Sequence, residues 1–227
     1  GTDVRTPVPV SSTQRIVSSI TTAIAERRLR PGTKLSEQKI ADLFNVSRAL
    51  VRQALNQLSR DQLVVLEPSR GAFVAMPSVE EAREVFEVRR VLETDMTRKL
   101  CPVITDHQIA ELRAHLRTEK EALSNTNVAG RTQLLADFHV VLATMLGNSV
   151  LTKMLSELLA RSSLIALMYQ STLSAIESQE EHVAIVDALE AREVKLAVRL
   201  TIEHLDHLEA TLRLDPFAPD LSQVLRV

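Results

Sequence analysis

From Ser78 onward the chain has almost no glycine and no alternating apolar-polar run, only one long amphipathic stretch after another, so an all-α bundle is what buries its apolar residues. Apolar residues recurring at three- and four-residue spacing predict helices over roughly 79–100, 106–123, 129–147, 149–170, 174–191 and 193–213. The breaks fall at Cys101-Pro102, at Ser124 to Asn127, at Gly147-Asn148 and near Ala191-Arg192. Pro77-Ser78 opens this region: proline stops the strand before it, and serine can cap the helix after it. After Asp215-Pro216 the pattern becomes irregular, with Leu221, Val224 and Leu225 available to dock.

The front of the chain reads differently. Residues 1–10, with Pro7 and Pro9, form a flexible arm, and Gly1 reads as a cloning remnant. Ile16, Ile20, Ala23 and Ile24 fit a supporting helix ended by Pro31-Gly32. Ser36 and Ser47 each precede a short helical pattern and can cap it, with Asn45-Val46 as the break between. On the second of these helices Val51, Ala54, Leu55 and Leu58 form one buried stripe, while Arg48, Arg52 and Asn56 fall four apart on the opposite face, flanked by Gln53 and Gln57. Arginine can fork a guanine edge or a phosphate, and Asn or Gln can pair with adenine, so this face suits a major groove. An ordinary solvated basic face is the alternative. Two short apolar runs around Pro68-Ser69-Arg70-Gly71 then read as a β-hairpin, a wing whose tip offers Arg70 and the bare backbone of Gly71 to a sugar-phosphate strand.

Charge supports this reading. Residues 10 to 77 hold ten Lys/Arg and five Asp/Glu, whereas residues 78 to 227 hold sixteen and twenty-three, a basic front and an acidic back in a chain of net charge −2. The fold class is therefore mainly α: a winged helix-turn-helix over 11–77, an all-α bundle over 78–215 and a tail over 216–227. A lone Cys101 excludes an intramolecular disulfide framework, and no apolar run reaches the roughly 20 residues that span a bilayer. No secretory pattern opens the chain, so the expected compartment is the cytoplasm.

The stretch from Pro31-Gly32 through Leu35-Ser36-Glu37-Gln38-Lys39-Ile40-Ala41, then Val46-Ser47-Arg48-Ala49-Leu50-Val51-Arg52-Gln53-Ala54-Leu55, then Arg70-Gly71, resembles the GntR family of transcription regulators. Leu50 stands where many relatives have proline, and Gln38 where many have arginine. The resemblance implies DNA contacts from Ser47, Arg48 and Arg52 on the recognition helix, Gln38 on the helix before it, and Arg70 and Gly71 on the wing.

All six histidines lie in the second domain. His139, His182 and His204 fall on three different predicted helices, and neighbouring helices of a bundle can aim three imidazoles at one point. Scattered helical histidines are more often surface or satisfied core residues, and His107, His115 and His207 read that way. Phe138-His139-x-x-Leu142-Ala143, Glu181-His182-x-x-Ile185 and His204-Leu205 resemble the helical ligand-binding (FCD) domain of the FadR-type branch of the family. That resemblance implies a divalent metal of the zinc or nickel type held by one aspartate and three histidines. His139, His182 and His204 match the histidines. Leu135 occupies the aspartate's position, and Asp137 lies about 200° round the helix from where it is needed. The alternative is a metal-free pocket whose histidines touch the effector themselves.

Arg89 and Arg161 lie on otherwise apolar stretches and offer a planar fork to a carboxylate effector, such as the small organic acids that the resemblance implies. For Arg89 the alternative is a buried ion pair with Glu93, and for Arg161 a snorkelling surface residue. The resulting expectation is a homodimeric regulator, a repressor, reading a palindromic operator on double-stranded DNA under control of a small carboxylate. The rival reading is a helical metal-dependent hydrolase with an N-terminal interaction module. It lacks a base at position 135, and no nucleophile triad or phosphate loop appears in the sequence.

Overall fold

The computed structural model describes residues 10–26, 28–169 and 172–212. Most of the N-terminal arm and the whole tail, including Leu221, Val224 and Leu225, lie outside the described residues. The chain divides into two compact units between Met76 and Pro77.

In the first unit, α1 (Ser12–Ala25) packs against α3 (Arg48–Arg60), with α2 (Glu37–Phe44) also on α3. Ile16, Ile20 and Ile24 of α1 and Val51, Ala54, Leu55 and Leu58 of α3 are buried, the apolar stripes expected from their spacing. Both capping serines act: Ser36 Oγ accepts from the Lys39 N–H, and Ser47 Oγ from the Leu50 N–H. Asn45 closes α2 in the left-handed conformation, φ 52°, which asparagine tolerates and which turns the chain into α3.

The wing is β2 (Val64–Glu67) and β3 (Gly71–Val74), joined at Pro68-Ser69-Arg70. A third strand, β1 (Lys34–Leu35), pairs antiparallel with β3, so the sheet order is β1-β3-β2 rather than a free hairpin. Two residues leave no periodicity to read, and only the partner strand makes them a strand. Gly71 begins β3 at φ 109°, a conformation that a side chain would strain.

The second unit is built from α4 (Val79–Leu100), α5 (Asp106–Ala122), α6 (Val128–Leu146), α7 (Ser149–Tyr169), α8 (Thr172–Glu190) and α9 (Val194–Ala210). Each predicted helix is present with described ends shifted by at most two residues, except that α9 stops at Ala210 and Thr211 caps it. Helix α4 packs against α6, α7 and α9, α8 against α5, α6 and α9, and α6 against α5 and α7. Met96, Leu100, Leu112, Phe138, Leu155 and Leu189 lie in the shared core. Alongside them the bundle buries Arg89, Glu93, Glu119, His139, His182 and His204. Buried ionisable groups are costly unless paired, so their arrangement calls for a reason.

Candidate functional site

The first unit presents a cleft between the helix-turn-helix and the wing, lined among others by Gln38, Arg48, Arg52, Asn56, Arg70 and Gly71. Glu37, on the first turn of α2, organises its arginines. Arg52 donates from Nη2 to Glu37 Oε1 at 2.8 Å and from Nε to Oε2 at 3.2 Å, and Arg48 donates from Nε to Oε1 at 3.0 Å. The Arg52 hydrogen bond leads in holding the Glu37 carboxyl below its ordinary value, against burial. Docked through its Nε side, Arg52 keeps its remaining N–H groups directed away from Glu37, donors that can meet a guanine edge or phosphate. Ser47 accepts its capping bond and keeps a hydroxyl proton to donate. Gln38 donates to Asp42 at 2.9 Å, and Arg70 pairs with Glu67 at 2.7 Å over the Phe73 ring. These exposed pairs are worth little in water and are exchangeable for phosphate.

In the second unit His139 of α6, His182 of α8 and His204 of α9 converge. One ring nitrogen from each lies within 4.8 Å of the others, and all three residues are buried. His182 Nε2 and His204 Nε2 are 3.1 Å apart. Zn–N bonds of 2.0–2.1 Å in a tetrahedral shell place ligand nitrogens roughly 3.3 Å apart, so this pair has about the spacing of two ligands on one ion. Burial lowers the pKa of all three histidines, that of His204 to about 4. They are therefore neutral near pH 7, the form in which imidazole offers a lone pair. The donor set fits a divalent ion of the zinc or nickel type.

These histidines share a cavity of ≈ 50 Å³ with Arg89, Thr132, Leu135, Ser162, Ser163 and Ser178. Arg89 donates from Nε to Glu93 Oε2 at 2.7 Å and from Nη1 to Ser162 Oγ at 2.8 Å. Burial alone would raise the Glu93 carboxyl, but Arg89 and then His139 pull it well below the ordinary carboxylate range. Among the described residues, the buried Arg89 Nη2, Ser163 Oγ and Glu93 Oε1 have no hydrogen-bond partner, although Glu93 Oε1 is in contact with His139 Nδ1. An unpaired guanidinium nitrogen beside neutral imidazoles is a receptor for an anion.

Residues 12–74 match the family described as bacterial regulatory proteins, gntR family, and residues 84–207 match the FCD domain. The HTH-type transcriptional repressor NanR of Escherichia coli (strain K12 / DH10B) is 30% identical over 212 residues, spanning 83% of this chain and 79% of that protein. The chain belongs to the GntR family.

Other relatives of this GntR regulator agree. The HTH-type transcriptional repressor RspR of Escherichia coli (strain K12) is 26% identical over 201 residues, 88% of each chain. A putative GntR transcriptional regulator from Rhodococcus sp. RHA1 has the same fold, with TM-score 0.67 and 27% identity over 87% of this chain and 95% of its own. These relatives are named as regulators, and the hydrolase alternative finds no support among them. The GntR regulator thus binds DNA through its winged helix-turn-helix. No helix among its described residues is long and apolar enough to cross a membrane.

Of the two arginines assigned to the effector, only Arg89 lines the cavity. Arg161 is exposed on α7, because its neighbours Ser162 and Ser163, one and two residues on, take the inward positions. The ion pair weighed as the alternative for Arg89 also exists, and one Nη remains over from it. Asp137 turns away from the histidines, as its angle required, and accepts from Gln133 at 2.8 Å.

The sequence does not reveal three carboxylates as partners of these histidines, and Glu93 is read from it only as a partner for Arg89. Glu93 Oε1 contacts His139 Nδ1, Glu119 Oε2 lies 2.9 Å from His182 Nδ1, and Glu181 Oε1 lies 3.2 Å from His204 Nδ1. Glu119 had a readable signal: it continues the inward stripe Ile109, Leu112, Leu116. Glu181 does face away from its neighbour His182, but it reaches His204 on the next helix. His115 and His207 are surface-side partners of these carboxylates, at 3.3 Å from Glu119 and 3.0 Å from Glu181.

The depressed histidines should make the helical unit acid-labile. In the unfolded chain they take up protons near pH 6.5, but in the fold His204 does so only near 4. Between those values the unfolded state binds more protons, so stability falls as pH drops from 6.5 toward 4. His204 alone contributes on the order of 3 kcal/mol across that window. The carboxylates, whose pKa values are lowered, lose their contribution only below about pH 4.5. Urea midpoints of chelator-treated protein should therefore fall steeply from pH 6.5 to 5, and a flat profile would show that the histidines are not held neutral. Tyr169, on α7, is the sole Trp or Tyr in the chain, so its fluorescence reports this unit.

Proposed function

We propose that this GntR regulator is a homodimeric repressor of a palindromic operator, released or tightened by a small carboxylate bound in the helical unit beside a divalent ion on His139, His182 and His204. The observation that carries the effector reading is the unpartnered Arg89 Nη2 and Ser163 Oγ on residues that line the same small cavity as three neutral imidazoles. A cavity of ≈ 50 Å³ is far below the 300–1,000 Å³ of pockets for drug-sized ligands, which favours an acid of a few heavy atoms. Arg89 would donate from Nη2 to a carboxylate oxygen, with Ser162 and Glu93 fixing its plane and Ser163 donating to the anion. A bound divalent ion would supply a positive centre for a second effector oxygen.

In the first unit, Arg48 and Arg52 would read base edges, Ser47, Gln38 and Arg70 would contact phosphates, and Gly71 would let the wing approach the strand closely. Two copies related by a two-fold axis require a palindrome and add their energies. The printed names of RspR and NanR support repression. The effector acts only through its difference in affinity between head arrangements.

The test is selection of duplex sites from random DNA at near-physiological salt, with the recovered complex then challenged by small carboxylates, with and without Zn²⁺ or Ni²⁺. A palindrome whose complex responds to one acid class is expected. Arg89→Lys, which keeps a charge for Glu93 but loses the Nη2 donor, should remove that response and leave operator affinity unchanged. A full response in Arg89→Lys would move the effector elsewhere.

A further inference from the structure

We infer that Glu93, Glu119 and Glu181 are positioning residues that aim the three histidines and carry, outside the ligand shell, the negative charge that Leu135 omits from it. This rests on the proposed metal-binding reading.

Three carboxylates from α4, α5 and α8 each contact the Nδ1 of a different histidine. Glu93 and Glu119 are fully buried and Glu181 is 27% exposed. Burying such groups beside imidazoles gives no packing advantage over leucine, so packing alone does not account for the set. Its chemical effect is specific. A neutral imidazole that donates its Nδ1 proton to a carboxylate has its lone pair on Nε2, which fixes both tautomer and ring direction. His182 and His204 then bring two Nε2 lone pairs to 3.1 Å from each other inside the bundle. Facing lone pairs repel, and a bound cation would turn the repulsion into coordination.

Each carboxylate has a second partner as well, Glu93 in Arg89, Glu119 in His115 and Glu181 in His207. The histidines are thus braced rather than merely touched. Leu135 lines the cavity one helical turn before His139 and offers no ligand. The inner shell would therefore be three neutral nitrogens, which an effector oxygen could complete. Charge is balanced through the imidazoles, by carboxylates that the effector does not have to displace.

The experiment is calorimetric titration of the full-length, chelator-stripped protein with Zn²⁺, for the parent and for Glu119→Gln, Glu181→Gln and the exposed control Glu121→Gln. The parent should bind one ion per chain. Glu119→Gln and Glu181→Gln should each weaken binding by about 10- to 100-fold, with helical content unchanged, and Glu121→Gln should match the parent. Because Glu181 is partly exposed, its variant keeps the test decisive even where Glu119→Gln folds poorly. Parent binding retained at full strength in both variants would overturn the positioning role while leaving the metal site intact. No binding by the parent would remove the metal reading itself, and the inference with it.

Discussion

Replacing both Arg48 and Arg52 by alanine is expected to abolish specific operator binding while leaving the fold unchanged. Each good bidentate contact to a base is worth about 1–3 kcal/mol of discrimination. With two such arginines in each of two half-sites, even the lower figure gives about 4 kcal/mol, roughly a thousandfold in affinity. The loss should be of sequence preference first, because both side chains are exposed and support no packing. Val51, Ala54, Leu55 and Leu58 on the other face keep α3 in place. Fluorescence anisotropy with the selected site and a scrambled duplex separates the two effects. Equal losses on both duplexes would make the arginines phosphate contacts, and retained discrimination would move the reading surface off α3.

The second large effect belongs to Phe138. Its ring stacks on His182 at 4.0 Å between centroids, 16° from parallel, and meets His139 edge-on at 5.3 Å, with no exposed surface. Phe138→Ala removes a large core side chain where packed helices restrict collapse, so a loss of about 3–5 kcal/mol is expected. The histidines lose the ring against which they pack, and Zn²⁺ affinity should fall alongside stability. Urea unfolding monitored by Tyr169 fluorescence isolates this unit from the DNA-binding unit. A loss under about 1 kcal/mol would mean that the core repacks around the gap, and the histidines would then be held by their carboxylates alone.

The two sites differ in how much of them is legible in the sequence. The recognition surface is local. Ser36, Ser47, Arg48, Arg52 and Gly71 lie within one helix-turn-helix and its wing, where periodicity, caps and turn residues act over three or four positions. What the sequence missed there, Glu37 clamping both arginines, joins residues 11 and 15 apart on two helices. The helical spans were equally legible, since each reflects its own amphipathic stripe and its breaks.

The helical cavity required the packing. His139, His182 and His204 stood out as three histidines on different helices, but nothing in their spacing said which ring nitrogens would meet. Arg89 and Arg161 looked alike as sequence, each an arginine on an apolar stretch, and only the rotation of α7 turned Ser162 and Ser163 inward and Arg161 out. Glu119 lies 63 residues from His182 and Glu93 lies 46 from His139, with separations set by crossings of helices rather than by any local rule. By itself the sequence determined the family, the helices and the basic face proposed to meet DNA, because those depend on short-range periodicity and backbone chemistry. Which buried charges face one another was decided by tertiary structure alone, because a bundle's helix rotations are fixed by the core as a whole.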